Sequence, residues 1–266
     1  MYAFHYHRPA SVSEATSLAS QHAEGKILAG GMTLLPTMKQ RLAGPSDLID
    51  LSKLDELRGI EVKDGVVTIK AMTRHVTVAT SPEVRKAMPA LAEMAGMIGD
   101  PAVRNKGTIG GSVANNDPAA DYPSACLAFG ATIHTSKRSI KADDFFTGLF
   151  ETALEDGEII TSISFPIADK ANYQKFRNPA SRYAIVGVFV VKRGSEVRVA
   201  VTGAGNKGVF RAKDFEAALA ANFSPAALDG KSVPASQLNS DIHADADYRS
   251  HLISVIAKRA VAATAG

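Results

Sequence analysis

"KILAGGMTLLPTMKQRLAGPSDLIDLS", residues 26–52, sets two adjacent glycines where a short apolar run gives way to a helical pattern. Residues 26–29 read as a brief strand entering Gly30-Gly31. Leu34, Leu35, Met38 and Leu42 then recur at helical spacing, and Gly44-Pro45 closes the segment. Residues 48–51 read as a second strand. Strand, glycine turn, helix and strand predict a compact βαβ unit with glycines at the helix entrance. There the backbone N–H groups lack intrahelical partners and lie at the positive end of the helix dipole. Glycine lets a ligand approach the main chain, so the turn suits a phosphate. By itself, a Gly-Gly pair is also the mark of a plain tight turn packing strand on helix.

The composition narrows the classes. Apolar residues make up 45% of the 266, enough for a sizeable core and against wholesale disorder. The 30 basic and 27 acidic residues give a net charge of +3 with no basic block, so no nucleic-acid partner is expected. No apolar run reaches the roughly 18 residues of a membrane span. The stretch "MYAFHYHRPASVSEA" lacks the layout of a secretory signal, and a cytoplasmic protein is expected. Cys126 stands alone, so this chain can hold neither an internal disulfide nor an iron–sulfur cluster, which needs about four ligands. In "PSACLAFGATI" it reads as a small buried residue. The seven histidines show neither HExxH nor another zinc spacing, and GxSxG and GxxxxGK[ST] are both missing.

Three regions follow one another. The first, residues 1–54, holds the βαβ unit. The second, 55–168, opens with the alternating runs 60–63 and 66–70 joined by Asp64-Gly65, a hairpin signal. A helical stretch at 89–98 precedes a glycine-dense segment, and residues 127–135 and 159–165 supply further strands. Residues 170–178 read as a polar crossing. In the third region, "YAIVGVFVVKRG" and "EVRVAVTGAG" are adjacent strands joined at Gly194-Ser195, followed by helices near 212–221 and 247–263. Strands followed by helices predict an α+β class, an antiparallel sheet with helices. The expected domains are residues 1–168 and 169–266.

A second Gly-Gly, in "DPAVRNKGTIGGSVANNDPAADYPSACLAFGA" (residues 100–131), gives the first one a partner. Gly110-Gly111 follows Thr108-Ile109 and precedes Ser112. Two such turns, one per subdomain, could clamp the two phosphates of one pyrophosphate. Main-chain N–H groups would supply the charge complement, with Thr33, Thr108 and Ser112 as added donors. No GxGxxG lies at a strand–helix turn, so this is not the Rossmann fingerprint.

These residues carry a family resemblance. Ala29-Gly30-Gly31-Met32-Thr33-Leu34 matches an AGGxS/T-L motif, residues 103–111 match VRNxGTIGG, and residues 117–123 match DPAADxP. The chain resembles, over essentially its whole length, the FAD-binding medium subunits of the molybdenum hydroxylases. That family includes carbon monoxide dehydrogenase and, as one domain of a longer chain, xanthine dehydrogenase. The resemblance implies an FAD-binding domain of PCMH type with two α/β subdomains, then a small α+β domain. It implies that Ala29, Gly30, Gly31, Met32 and Thr33, with Thr108, Ile109, Gly110, Gly111 and Ser112, hold the pyrophosphate and adjoining sugar. Asp121 matches a carboxylate that accepts hydrogen bonds from the cofactor's hydroxyls; a cap on the helix starting near Tyr122 is the alternative. Ile160 falls where the family has an apolar residue beside the flavin, or in a plain core strand. Lys175 matches a lysine near the flavin ring, Tyr183 an aromatic stacked on it; a solvated loop lysine and an ordinary strand tyrosine are the alternatives. Met32 departs from the histidine of many relatives.

The resemblance further implies an oxidoreductase that works in a complex and needs no catalytic acid or base from this chain. A large subunit would carry the molybdenum cofactor and a small one the [2Fe–2S] clusters, in a dimer of heterotrimers. The complex would be cytoplasmic, with the inner membrane face as the other place it could sit. A self-contained flavin reductase and a flavin-free scaffold subunit are the competing readings.

Overall fold

The computed structural model describes residues 1–264; the last two residues of the expected second domain lie outside them. The first unit contains β1 (His5–His7), α1 (Val12–Gln21), β2 (Lys26–Leu28), α2 (Leu34–Lys39) and β3 (Asp47–Asp50). Its strands run parallel in the order β1–β3–β2, so the expected βαβ unit is present. Ser11 caps α1: the Glu14 N–H donates to Ser11 Oγ at 3.1 Å, and the Glu14 carboxylate reaches back to accept from the Ala10 N–H at 2.7 Å. The end of α2 comes earlier than its apolar spacing suggests. Arg41 takes a left-handed φ of 60°, which stops a helix of L-residues and leaves Leu42 76% exposed.

In the second unit β4 (Ile60–Lys63) and β5 (Val66–Lys70) form the expected hairpin, with positive φ at both Asp64 and Gly65. Helices α3 (His75–Thr80), α4 (Pro82–Ala87), α5 (Pro89–Gly96), α6 (Pro101–Lys106), α7 (Ile109–Asn115) and α8 (Tyr122–Phe129) follow. Then come β6 (Thr132–Thr135), β7 (Ser139–Lys141), α9 (Ala142–Phe145), β8 (Phe146–Gly148), β9 (Glu151–Thr152) and β10 (Ile160–Pro166). Proline at the first turn of α4, α5 and α6, with Ser81 and Asp100 as side-chain caps, explains why so many short helices start where they do. The sheet is antiparallel, β4–β5–β10–β6–β7, and aligns Ile69, Ile163 and Ile133 across its buried face. The strand expected over 127–135 begins only at Thr132. Residues 127–129 close α8, and Gly130 ends it at a φ of 62°.

The third layer is antiparallel in chain order: β11 (Lys170–Arg177), β12 (Ala184–Arg193), β13 (Glu196–Thr202) and β14 (Phe210–Arg211), with α10 (Lys213–Ala221) and α11 (Ala246–Ala263) on one face. The α+β class therefore holds. Residues 170–177 are a strand and not a polar crossing: Tyr173 and Lys175, two apart, turn the same way and are buried beneath the second unit. Covered on both faces, β12 reads as a continuous apolar run. Val186, Val188 and Val190 pack under the helices of its own layer, while Phe189 and Val191 join the core of the second unit. Phe129 links the two, edge-on to Phe165 at 6.2 Å and to Phe189 at 5.1 Å. No helix among the described residues is long and apolar enough to cross a membrane.

Phe129 is 1% exposed and touches aromatic rings from two sheets. Phe129→Ala should therefore lower the stability of the chain by about 3–5 kcal/mol, read as a shift in the urea midpoint.

Candidate functional site

The two glycine turns meet. A Cβ on Gly30 would stand 2.2 Å from the Lys106 carbonyl oxygen and 2.7 Å from the Gly107 Cα, so only glycine lets the first turn lie against the second. A Cβ on Gly111 would come within 3.3 Å of the Ala29 Cβ, which continues the contact. Gly31 sits at a φ of +70°, a left-handed value that favours glycine. Among the described residues, no acceptor lies within hydrogen-bond reach of the N–H groups of Gly30, Gly31, Met32 and Thr33. Met32 and Thr33 are exposed, and Thr33 makes no side-chain capping bond. A run of unbonded main-chain donors at a helix entrance fits a phosphate group.

The second turn is built differently. Its N–H groups are already engaged: Ile109 donates to the Thr73 carbonyl at 3.1 Å, Gly110 to the Ala71 carbonyl at 2.8 Å and Ser112 to the Thr108 carbonyl at 3.0 Å. Gly111 donates to Thr108 Oγ1 at 3.1 Å. These main-chain donors are thus engaged within the chain: those of Ile109 and Gly110 tie α7 to the segment just after β5, and those of Gly111 and Ser112 close the first turn of α7. What remains on offer is the half-buried Ser112 hydroxyl and close approach to the backbone. Behind the turn, His75 is buried against Gly107, where an added Cβ would lie 2.6 Å from Nε2. Burial, and then the Arg104 charge, pull its imidazole down to about 4, so it is neutral at physiological pH.

A second cluster lies at the N-terminal end of α8, whose first residue, Tyr122, sets its ring 5.4 Å from that of His75 behind the second turn. Asp121 occupies the N-cap position of α8 but makes no capping bond. Its carboxylate instead accepts from the Tyr173 hydroxyl and from Lys175 Nζ at 3.0 Å, with both side chains of the ion pair almost wholly buried. Burial pushes the Asp121 carboxyl up, and the Lys175 charge and the two hydrogen bonds pull it back. Lys175 is therefore paired within the chain and is not the solvated loop lysine that its sequence context allowed. Gly187 makes the arrangement possible, because a Cβ there would sit 2.3 Å from the Tyr173 hydroxyl oxygen. Asp117, raised by burial, adds a second carboxyl to this end. Tyr183 is 45% exposed beside it, its phenol raised by burial and then by the charges of Asp117 and Asp121.

The structure thus gathers Ala29, Gly30, Gly31, Met32 and Thr33 with Thr108, Ile109, Gly110, Gly111 and Ser112, and Asp121 with Lys175 and Tyr183. Ile160 is 4% exposed in the core of the second unit, next to Thr161, whose carbonyl accepts from the Ala71 N–H. Tyr173 and Gly187 were missed from the sequence. The i, i+2 pairing of Tyr173 with Lys175 was the available signal, once residues 170–177 are read as a strand.

Comparison with known proteins gives a consistent match. The family model described as the FAD binding domain in molybdopterin dehydrogenase matches residues 2–168. The carbon monoxide dehydrogenase medium chain of Hydrogenophaga pseudoflava is 36% identical over 274 residues, covering 97% of this chain and 96% of that one. The nicotine 6-hydroxylase medium subunit of Paenarthrobacter nicotinovorans is also 36% identical, over 273 residues, with the same 97% and 96% coverage. The solved carbon monoxide dehydrogenase of Hydrogenophaga pseudoflava superposes with a TM-score of 0.88 at 37% identity, over 98% of this chain and 96% of that one.

Lys175→Met should leave the buried Asp121 carboxyl without its cation, a loss of about 3–5 kcal/mol at pH 8. Without the cation the native carboxyl pKa rises further above its unfolded value, so the native state holds a proton that the unfolded chain has released. The penalty should accordingly grow as pH rises and be smaller at pH 5. Urea midpoints at the two pH values check this, and equal losses would separate the lysine from the Asp121 charge. Adding Asp121→Asn to the lysine variant should recover part of the loss at pH 8.

Proposed function

The chain belongs to the FAD-binding medium subunits of the molybdenum hydroxylases, and on that premise we propose that it takes electrons from the [2Fe–2S] clusters of a partner subunit and passes them to an external acceptor. The run of unbonded N–H groups from Gly30 to Thr33, backed by the second turn, is the observation that carries the reading. FAD, when bound, supplies the exchange between one-electron centres and a two-electron acceptor. The chain's own part is position and electrostatics. Gly30, Gly31, Met32 and Thr33 would hold a phosphate through main-chain donors. Thr108, Gly111 and Ser112 would form the opposite wall, with the Ser112 hydroxyl as donor. At the start of α8, Asp121 and Lys175 would present a neutralised pair, and Tyr183 an exposed aromatic face, toward the cofactor. Residues 1–168 would form the FAD-binding domain, and the layer from residue 169 would close over it.

The medium-chain relatives, matched over almost their whole length, support a complex in which the molybdenum cofactor and the iron–sulfur clusters sit on a large and a small subunit. A dimer of heterotrimers in the cytoplasm is the assembly we propose. Cys126, buried in α8 with its thiol pushed up by burial, has no part in cluster binding.

Extraction of the purified complex should release FAD and not FMN, because the cradle is built for a pyrophosphate. Gly31→Val, which sets a branched side chain at a left-handed φ beside the free donors, should strip the flavin while circular dichroism stays unchanged. In the flavin-free complex, substrate should still bleach the iron–sulfur clusters, but turnover with the acceptor should stop. Recovery of FMN alone, or substrate oxidation by this chain without its partners, would overturn the proposal.

A further inference from the structure

At the end of the first sheet away from the glycine turns, three chemistry-bearing side chains converge from distant points of the sequence. His7 ends β1, His22 follows the last turn of α1, and Asp47 opens β3. His7 Nε2 lies 2.7 Å from Asp47 Oδ1, and His22 Nδ1 lies 3.3 Å from Oδ2. The two imidazoles stack with centroids 5.1 Å apart and planes at 29°. One nitrogen from each ring and one carboxylate oxygen fall within 4.8 Å of one another. The Asp47 side chain is 5% exposed, while His7 and His22 are 26% and 34% exposed, so the cluster has a fixed floor and an open mouth. Ser46 Oγ donates to Asp47 Oδ2 at 2.7 Å and orients the carboxylate.

We propose that His7, His22 and Asp47 form a binding site for a divalent transition-metal ion. Two imidazole nitrogens and one carboxylate oxygen are a donor set for such ions, zinc among them, and leave at least one position open to water. Metal–ligand bonds of about 2.0–2.1 Å put tetrahedral donors about 3.4 Å apart, so small rotations of the two rings complete the geometry. The Ser46 hydroxyl supplies the outer hydrogen bond that fixes a ligating carboxylate. β3 separates Asp47 from the level of Leu28 by about 10 Å, at about 3.3 Å per residue, and the side chain of His7, whose backbone is level with Ile49, reaches back to it. The site falls where a clip has most to hold. The core cluster under the first unit has only four residues of its own, Ala15, Ile49, Leu51 and Leu54, and the ion would join β1, the end of α1 and β3.

The test uses the full, tag-free chain stripped with chelator and titrated with Zn²⁺ by calorimetry. One ion per chain is expected. His7→Gln and His22→Gln should each weaken binding by more than about tenfold, the scale already seen when only an outer partner of a ligand is lost. Zn²⁺ should raise the melting temperature of the native chain but not of the double variant, and FAD content should be the same in all of them. A second measurement needs no variant: Co²⁺ bound to the native chain should shift the ring proton resonances of His7 and His22 paramagnetically. Absence of saturable Zn²⁺ binding, unweakened binding in the double variant, or unshifted His7 and His22 signals would each overturn the site.

Discussion

The site rests on one contact between two pieces of backbone. Gly30 lies against the Lys106 carbonyl and the Gly107 Cα so closely that any side chain at position 30 would collide with main-chain atoms. Main chain cannot step aside as a flexible side chain can, so the spacing of the two turns is fixed by absence of a Cβ. From it follows the division of labour between them. The second turn is anchored through the N–H groups of Ile109 and Gly110 to the segment just after β5 and cannot shift without breaking those bonds. The first turn leans on this support and leaves its donors free. Donors held in place before a ligand arrives need no rearrangement to bind it.

The third layer is welded to this frame by burial and by charge. Phe189 and Val191 of β12 and Tyr173 of β11 share a core with Phe129 and Phe165, while the other face of β12 packs into a separate core under α10 and α11. Beside the shared core, the Asp121–Lys175 pair stands almost entirely out of water. A buried pair of this kind adds little net stability over apolar residues of the same size, but losing one partner is costly. Its effect is to fix where β11 meets the start of α8, beside Tyr183.

The sequence by itself determined the class of protein, the βαβ unit with its glycine entrance, the Asp64-Gly65 hairpin and the pair of strands around Gly194. Each of these is a local preference: a periodicity of 2 or 3.6, a residue that tolerates positive φ, a turn of fixed length. The ordered motifs at 29–34, 103–111 and 117–123 carried the family for the same reason, since each is a run of neighbours. Only the tertiary structure decided which donors stay free, because the N–H groups of Ile109 and Gly110 find their acceptors on Ala71 and Thr73, more than thirty residues away. Residues 170–177 looked polar because the charge of Lys175 is cancelled by Asp121, a partner 54 positions distant. His7, His22 and Asp47 showed no metal spacing for the same reason: parallel strands bring together residues that the chain keeps apart, and spacing along a chain records only neighbours in a single element.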